Sequence, residues 1–368
     1  MRILVAPDKF KGSLGAREVA ARIAAGLRDA RPGLEIEVQP VADGGEGTAD
    51  LIREACDGEW ITCAAQDALG RAIEARYGWL AKTATAVLEM SEAAGFWRIA
   101  AHERDPIRAN TFGVGEMLRD TIARGAKEIV VGLGGSATND GGFGMARALG
   151  FRFLSKAGAE LADAVIDLRD LERISSPRDL TLPRVIAATD VLNPFLGQRG
   201  ATRTFGPQKG ATPDQLGSLE EALARLADVV ARDLGRDFRD APGAGAAGGL
   251  GFGLMSFCGA TVRPGFDLVA EMVDLEAAVG RADVVITGEG SLDEQTLDGK
   301  APAGVARLAR KHGKRSFAIV GSAAEGGTSR DLFDGVLVLA TPPITREESM
   351  ARTAELLQER ARELAQMM

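Results

Sequence analysis

Histidine and cysteine are scarce in this chain. Its 368 residues include two histidines and three cysteines. Cys56, Cys63 and Cys258 form no C-x-x-C pair, and His102 and His312 are the only other soft ligands, so a zinc site is not expected. An odd number of scattered thiols fits reduced cysteines in a cytoplasmic protein. Histidine chemistry is disfavoured as well: His102 lies in the polar stretch AAHERDP and His312 at a helix end. The chain also lacks a Lys/Arg run or basic tail, and its formal net charge is −8. That excludes a nucleic-acid partner from expectation, and any anion site must be assembled locally against the overall field. No apolar run approaches the ~18 residues of a membrane span. The opening MRILVAPDKF is too short for the apolar region of a signal peptide.

Two nucleotide signatures are missing. The phosphate-loop pattern G-x-x-x-x-G-K-[ST] fails at Gly299-Lys300, which Ala301 follows and which has Glu294 where the first glycine belongs. A kinase H-R-D loop is absent. GAGAAG at 243–248 matches G-x-G-x-x-G in form, but the charged GRDFRDAP before it is no strand. Close backbone packing explains those small residues better.

Glycine, in contrast, is abundant: 46 residues, clustered in loops and not in a repeat. The length predicts about two domains. RILVA reads as a strand, 16–30 as an amphipathic helix, EIEVQPVA as a second strand, and 48–56 as a second helix. This βαβα order implies a parallel sheet with helices packed on it. WITCAAQ, AIEARYGWL and TATAVLEM then follow as three strand-like runs with no helix between them, which suggests an antiparallel section in a different domain. Near the other end, ADVVITGEG, SFAIVGS and GVLVLAT look like the missing strands of the first sheet. The expected fold class is therefore α/β, with two domains. One is a parallel sheet with packed helices formed by both chain ends, 1–64 plus 262–368. The other, 65–261, is an inserted domain with a mixed sheet.

Several polar, glycine-rich loops begin where predicted strands end, which is where an open parallel sheet forms its crevice. APDKFKGS places Asp8, Lys9, Lys11, Gly12 and Ser13 there. ADGGEGTAD (42–50) offers Asp43 and Glu46 between glycines, and ATDVLNP offers Asp190 and Asn193. FGPQKGA (205–211) contributes Lys209. The stretch from 287 to 306 contributes Glu289, Asp293, Glu294, Asp298 and Lys300. GGSATNDGG (134–142) stands between a short apolar strand and a helix, and combines hydroxyls, an amide and a carboxylate with bare backbone N–H groups, a pattern suited to phosphate. Each loop alone also has a plain reading as a turn or helix cap. Together, lysines at 9, 11, 209 and 300 and aspartates at 43, 140, 190 and 293 suit phosphoryl transfer, which needs mainly positioning and charge neutralisation.

APDKFKGSL, ADGGEGT, GLGGSATNDGG, DVLNP, FGPQKGA, PGAGAAGGLG and GEGSLDEQT with DGK occur in one order almost from end to end. Together they resemble the bacterial glycerate kinases of the type-1 family. The resemblance implies ATP- and Mg²⁺-dependent phosphorylation of D-glycerate to 2-phosphoglycerate, and two α/β domains around a cleft, one of them Rossmann- or flavodoxin-like; a homodimer is compatible with it. On this reading Asp190 orients or deprotonates the hydroxyl, and Lys9 and Lys300 neutralise charge. Lys11, Ser13, Gly134, Gly135, Ser136, Thr138, Asn139, Lys209 and Glu289 bind substrate or phosphate, and Asp293 and Asp43 serve Mg²⁺. A kinase for another small hydroxy or sugar acid, or a glycerate-binding sensor without activity, would use the same loops.

Overall fold

The computed structural model describes residues 1–292, 300–323 and 331–368. Thirteen strands are present among them: β1 (Arg2–Val5), β2 (Glu35–Val38), β3 (Glu59–Gln66), β4 (Ala72–Leu80), β5 (Thr85–Glu89), β6 (Glu128–Gly132), β7 (Arg152–Ser155), β8 (Leu171–Ser175), β9 (Arg184–Ala188), β10 (Thr261–Arg263), β11 (Val284–Leu292), β12 (Arg315–Ala323) and β13 (Gly335–Val338). The chain divides into two compact units, Met1–Asp43 with Pro264–Met368, and Gly44–Arg263.

The first unit holds a five-stranded sheet in the order β13-β12-β11-β1-β2, every pair parallel. The late apolar runs do complete the sheet begun at the N-terminus, with Ile3 opposite Val284 and Val5 opposite Ile286. Its central strands are apolar on both faces because both faces are covered. Along β12, Phe317 and Ile319 enter one core while Ala318 and Val320 enter another. The first core is closed by helices Ala16–Ala30 and Thr353–Met367 through Val19, Ile23, Leu27, Leu356, Leu357 and Leu364. The spacing of Val19, Ile23 and Leu27 puts them on one helical face. Gly26 lets these helices touch: a Cβ there would lie 2.3 Å from the Gln358 carbonyl oxygen. Thr345 caps the short helix Arg346–Ala351 by accepting the Glu348 N–H at 3.2 Å, as its spacing from Glu348 predicts.

The second unit is built on a six-stranded mixed sheet, β10-β9-β6-β5-β4-β3. The three strand-like runs without intervening helix are antiparallel neighbours, β3 to β4 to β5, while β5, β6, β9 and β10 run parallel. The hairpin β7–β8 and the edge strand β10 have no counterpart in the sequence reading; all three are short, and β8 reads as charged and mixed, LERIS. A core of Val114, Met117, Ile129, Val131, Phe143, Leu223, Leu226, Phe252 and Leu254 fills the unit.

Both domain boundaries differ from those expected. β3 pairs with β4 along its whole length, from Glu59 opposite Trp79 to Gln66 opposite Ala72, and helix Thr48–Ala55 packs on β4 and β5. Residues 44–64 therefore belong to the inserted unit. At the return, β10 pairs with β9, Thr261 opposite Ile186, which keeps 262 and 263 there too.

The GAGAAG stretch opens helix Ala246–Cys258 and is packing, not a dinucleotide turn. Ala247, Gly248 and Gly249 are left-handed, with φ of 52°, 67° and 87°. A Cβ on Gly248 would lie 1.9 Å from the Thr138 carbonyl oxygen. Gly248→Ala is therefore expected to destabilise the protein by at least about 2 kcal/mol through overpacking and left-handed strain. Urea denaturation checks this, and an unchanged midpoint would contradict the packing.

Candidate functional site

Within the first unit the chain leaves β1 for β2 on one side, and the sheet continues through β11, β12 and β13 on the other. This is the flavodoxin-type strand order, whose crevice opens at the carboxyl ends of the two strands that flank the reversal. Here those strands are β1 and β11. A cavity of about 430 Å³ lies at that point, lined by Asp8, Lys9, Lys11, Ser13, Asp43, Glu289 and Lys300. Six of the residues expected from sequence thus share one hollow. Asp293 and its neighbours Glu294 and Asp298 lie outside the described residues.

The cavity is electrically mixed. Lys9 Nζ stands 3.6 Å from Asp43 Oδ1. Asp8 is only 7% exposed and accepts its neighbour's N–H, Lys9 N to Asp8 Oδ1, at 2.6 Å. Burial pushes the Asp8 carboxyl up to about 7; the Asp43 charge adds to this, Lys9 and its N–H oppose it, and Glu289 adds again. Ser13 lies 2.7 Å from Thr353 Oγ1 and 3.0 Å from the Met350 carbonyl, so its hydroxyl ties the β1 loop to the start of the C-terminal helix. Asp8 and Arg346 also line the cavity, and the sequence reading assigns neither of them a role in the site. Asp8 stands in the quoted APDKFKGS, where a strand-end position was the available signal. Arg346 comes from a distant helix, and nothing in its local sequence marks it.

In the second unit the ADGGEGT and GGSATNDGG loops meet. A Cβ on Gly134 would lie 2.4 Å from Gly45 Cα, and one on Gly132 2.7 Å from the Gly44 carbonyl oxygen. Glu89 holds the start of helix Thr48–Ala55 by accepting the N–H groups of Gly47 at 2.9 Å and Ala49 at 2.8 Å. The Leu133 N–H donates to the Ala188 carbonyl at 3.1 Å. The glycine loop and Asp190, two residues past β9, thus leave neighbouring strands at the same edge of this sheet.

Much of the glycine loop faces inward. Asp140 is fully buried and accepts from Thr111 N at 2.8 Å, Thr111 Oγ1 at 2.8 Å, Gly144 N at 3.0 Å and Gly142 N at 3.2 Å. Burial raises its pKa, and these donors oppose the rise. Asp140 therefore anchors the loop and caps the following helix, and is not a free metal or base group. Thr138 and Asn139 are also fully buried, and the Asn139 amide donates to Thr202 Oγ1 at 3.0 Å. Lys209 is 1% exposed, with Nζ 2.9 Å from Ser136 Oγ and 2.6 Å from the Thr138 carbonyl. Burial pushes its ammonium down to about 7, against the charge of Asp140. Gly134 and Gly135 are half-buried, and the N–H groups of Gly134, Gly135 and Ser136 donate to no acceptor among the described residues.

The pattern that defines the glycerate kinase family matches residues 3–368. The chain belongs to the glycerate kinase family. It is 39% identical over 370 residues to the glycerate kinase of Bacillus subtilis (strain 168), covering 99% of this chain and 97% of that one. It is also 39% identical over 358 residues to the glycerate 2-kinase of Escherichia coli (strain K12), covering 95% and 93%. A crystal structure from Salmonella typhimurium LT2, provisionally named glycerate kinase 2, matches with a TM-score of 0.85 and 39% identity over 100% of this chain and 98% of that one. The α/β architecture is therefore that of a solved relative of this family. No described helix is long and apolar enough to cross a membrane.

The Asp8 carboxyl yields a stability prediction. Its folded pKa, about 7, lies above the ordinary 3.8, so the stability it contributes is complete below pH ~4 and is lost as pH rises towards 7. Asp8→Asn removes that loss. Its melting temperature should match wild type near pH 4 and exceed it by a few degrees above pH 7, measured by thermal melts across this range. A difference that does not vary with pH would contradict the buried carboxyl.

Proposed function

We propose that this chain transfers the terminal phosphoryl group of ATP to the 2-hydroxyl of D-glycerate, giving ADP and 2-phosphoglycerate. Family membership and the names of its relatives support the reading. The observation that carries it is the cavity at the β1/β11 reversal, where Lys9, Lys11, Lys300 and Arg346 share one hollow with Asp8, Asp43 and Glu289. Cations of this kind neutralise phosphate or carboxylate. Direct transfer to the substrate oxygen is the step proposed, since phosphoryl transfer needs mainly positioning and charge neutralisation. Asp190 is the residue proposed to orient the hydroxyl and take its proton, a role supported by its place at the carboxyl edge of a parallel strand pair.

Mg²⁺ fits this donor set. Among the described residues no three His, Cys, Asp or Glu side chains form a metal cage. Magnesium that arrives on nucleotide phosphates needs only one or two carboxylates and keeps several waters. Asp43, with Asp8 or Glu289 beside it in the cavity, would hold it, and the ion would offset the charge of the phosphates.

Incubation with ATP, Mg²⁺ and D-glycerate, followed by ³¹P NMR of the product, tests the assignment. A 2-phosphate couples to a single carbon-bound proton and appears as a doublet, whereas a 3-phosphate gives a triplet. Absence of ADP release would overturn the kinase reading, and faster turnover of a longer sugar acid would replace the substrate. Lys9→Ala should lower kcat/KM by about two to three orders of magnitude, the loss expected for one preorganised charge contact, with the fold intact. Near-wild-type turnover would remove Lys9 from the site. Asp190→Asn should suppress turnover while leaving the thermal melt nearly unchanged; unfolding would make Asp190 structural.

A further inference from the structure

Lys209 is an unusual lysine. It sits at the end of the turn Pro207–Lys209, followed by the left-handed Gly210 with φ 97°, and its side chain is 1% exposed. A buried ammonium is costly unless its donors are satisfied. Here two acceptors come from the glycine loop some seventy residues earlier, Ser136 Oγ at 2.9 Å and the Thr138 carbonyl at 2.6 Å. Among the described residues, the charged group that bears on it is Asp140, buried in the same loop. Lys209 therefore does not reach out of the fold to touch a phosphate, as its sequence position suggests.

The outward part of the same loop is different. Gly135 has φ 73°, and the N–H groups of Gly134, Gly135 and Ser136 have no acceptor among the described residues; the Glu46 carboxylate packs against Gly135, where a Cβ would lie 2.3 Å from its Oε1, so an oxyanion bound here displaces that side chain. Consecutive backbone N–H groups around a left-handed residue form a concave donor set for an oxyanion. Elsewhere in the loop Ala137 N–H donates to the Ala94 carbonyl at 2.9 Å, Gly141 N–H to the Gly248 carbonyl at 3.0 Å, and Gly142 and Gly144 to Asp140; Thr138, Asn139 and Asp140 are fully buried, so their N–H groups face no ligand. The carbonyl of Gly135 is held as well, by Phe96 N–H at 2.9 Å.

We propose that Lys209 is a positioning residue: its ammonium, bonded behind the loop to Ser136 and Thr138, fixes the N–H row of 134–136 as an oxyanion site without touching the ligand. This rests on the kinase reading, since both substrates of that reaction carry oxyanions, the phosphates of ATP and the carboxylate of glycerate. The loop backbone supplies the donors. The lysine holds Ser136 and the Thr138 peptide in register and places a positive charge one layer below. Oxyanion binding weakens when that charge is removed, whereas the proton and phosphoryl steps are affected only through occupancy.

Steady-state kinetics of Lys209→Met, with ATP and D-glycerate varied separately, provide the test. Wild-type protein is assayed first: if it does not turn over, the kinase reading fails and the loop proposal is not what has failed. With wild type active, the folded variant should show a KM for at least one substrate raised tenfold or more, and a smaller change in kcat. A rise confined to ATP assigns the oxyanion to phosphate, and one confined to glycerate assigns it to the carboxylate. Ser136→Ala, which removes one acceptor and leaves the lysine in place, should move the same KM in the same direction by a smaller factor. It also serves as the test if Lys209→Met does not fold. Less than a tenfold rise in both KM values for folded Lys209→Met, or a fall in kcat with KM unchanged, would overturn the proposal. So would an unmoved KM in Ser136→Ala if that variant alone is folded.

Discussion

Contact between bare backbones is the constraint on which the second unit depends. Polar loops cannot bury side chains against one another cheaply, because each buried polar group needs a partner. Here the loops approach through glycine: Gly134 against Gly45, Gly132 against Gly44, and Gly248 against Thr138. Any side chain at these points would push the loops apart. The contact brings together segments that lie about ninety to a hundred and ten residues apart along the chain, and it leaves the 134–136 N–H groups unpartnered among the described residues.

Interior charge supports the loop that results. Asp140 collects four donors from two segments, and Lys209 supplies an ammonium to the other half of the same turn. Such groups act mainly on geometry. Removing a partner from a buried charge costs more than the pair contributes, so the arrangement is strongly specified even where its net stabilisation is modest. The first unit uses the opposite arrangement. Its charges line an open hollow: Lys9 pairs loosely with Asp43 at 3.6 Å, and the Asp8 carboxyl is held up to about 7 by burial. Lys9 and Asp43 line a cavity that a ligand can enter, whereas Lys209 is sealed inside the fold.

Much of this was legible along the chain. Apolar runs of four to nine residues, separated by turns, marked the parallel strands, and their position at both ends implied a sheet closed by the two termini. The loops that line the cavity began where those strands stopped, so Lys9, Lys11, Ser13, Asp43, Glu289 and Lys300 could be grouped before their positions were known. The sequence pattern places the boundary after residue 64 and the structure after residue 43, because β3 looks the same whether it extends the first sheet or pairs with β4. Hydrogen-bond partnership across a sheet leaves no local trace. The hairpin β7–β8 leaves no clear signal in the sequence for the related reason that short, half-exposed strands lack a strong period.

Residue type and order thus determined which chemistry the chain can offer: cations, carboxylates and bare N–H groups at strand ends, with two histidines, three cysteines and no Lys/Arg run in the sequence. Tertiary structure alone decided which of those groups face outward. Lys9 and Lys209 are both lysines in short polar turns, yet one lines a cavity and the other is sealed behind a loop. Burial is set by what packs on a residue from elsewhere in the chain, and the distance along the sequence from Lys209 to Ser136 carries no sign of that contact.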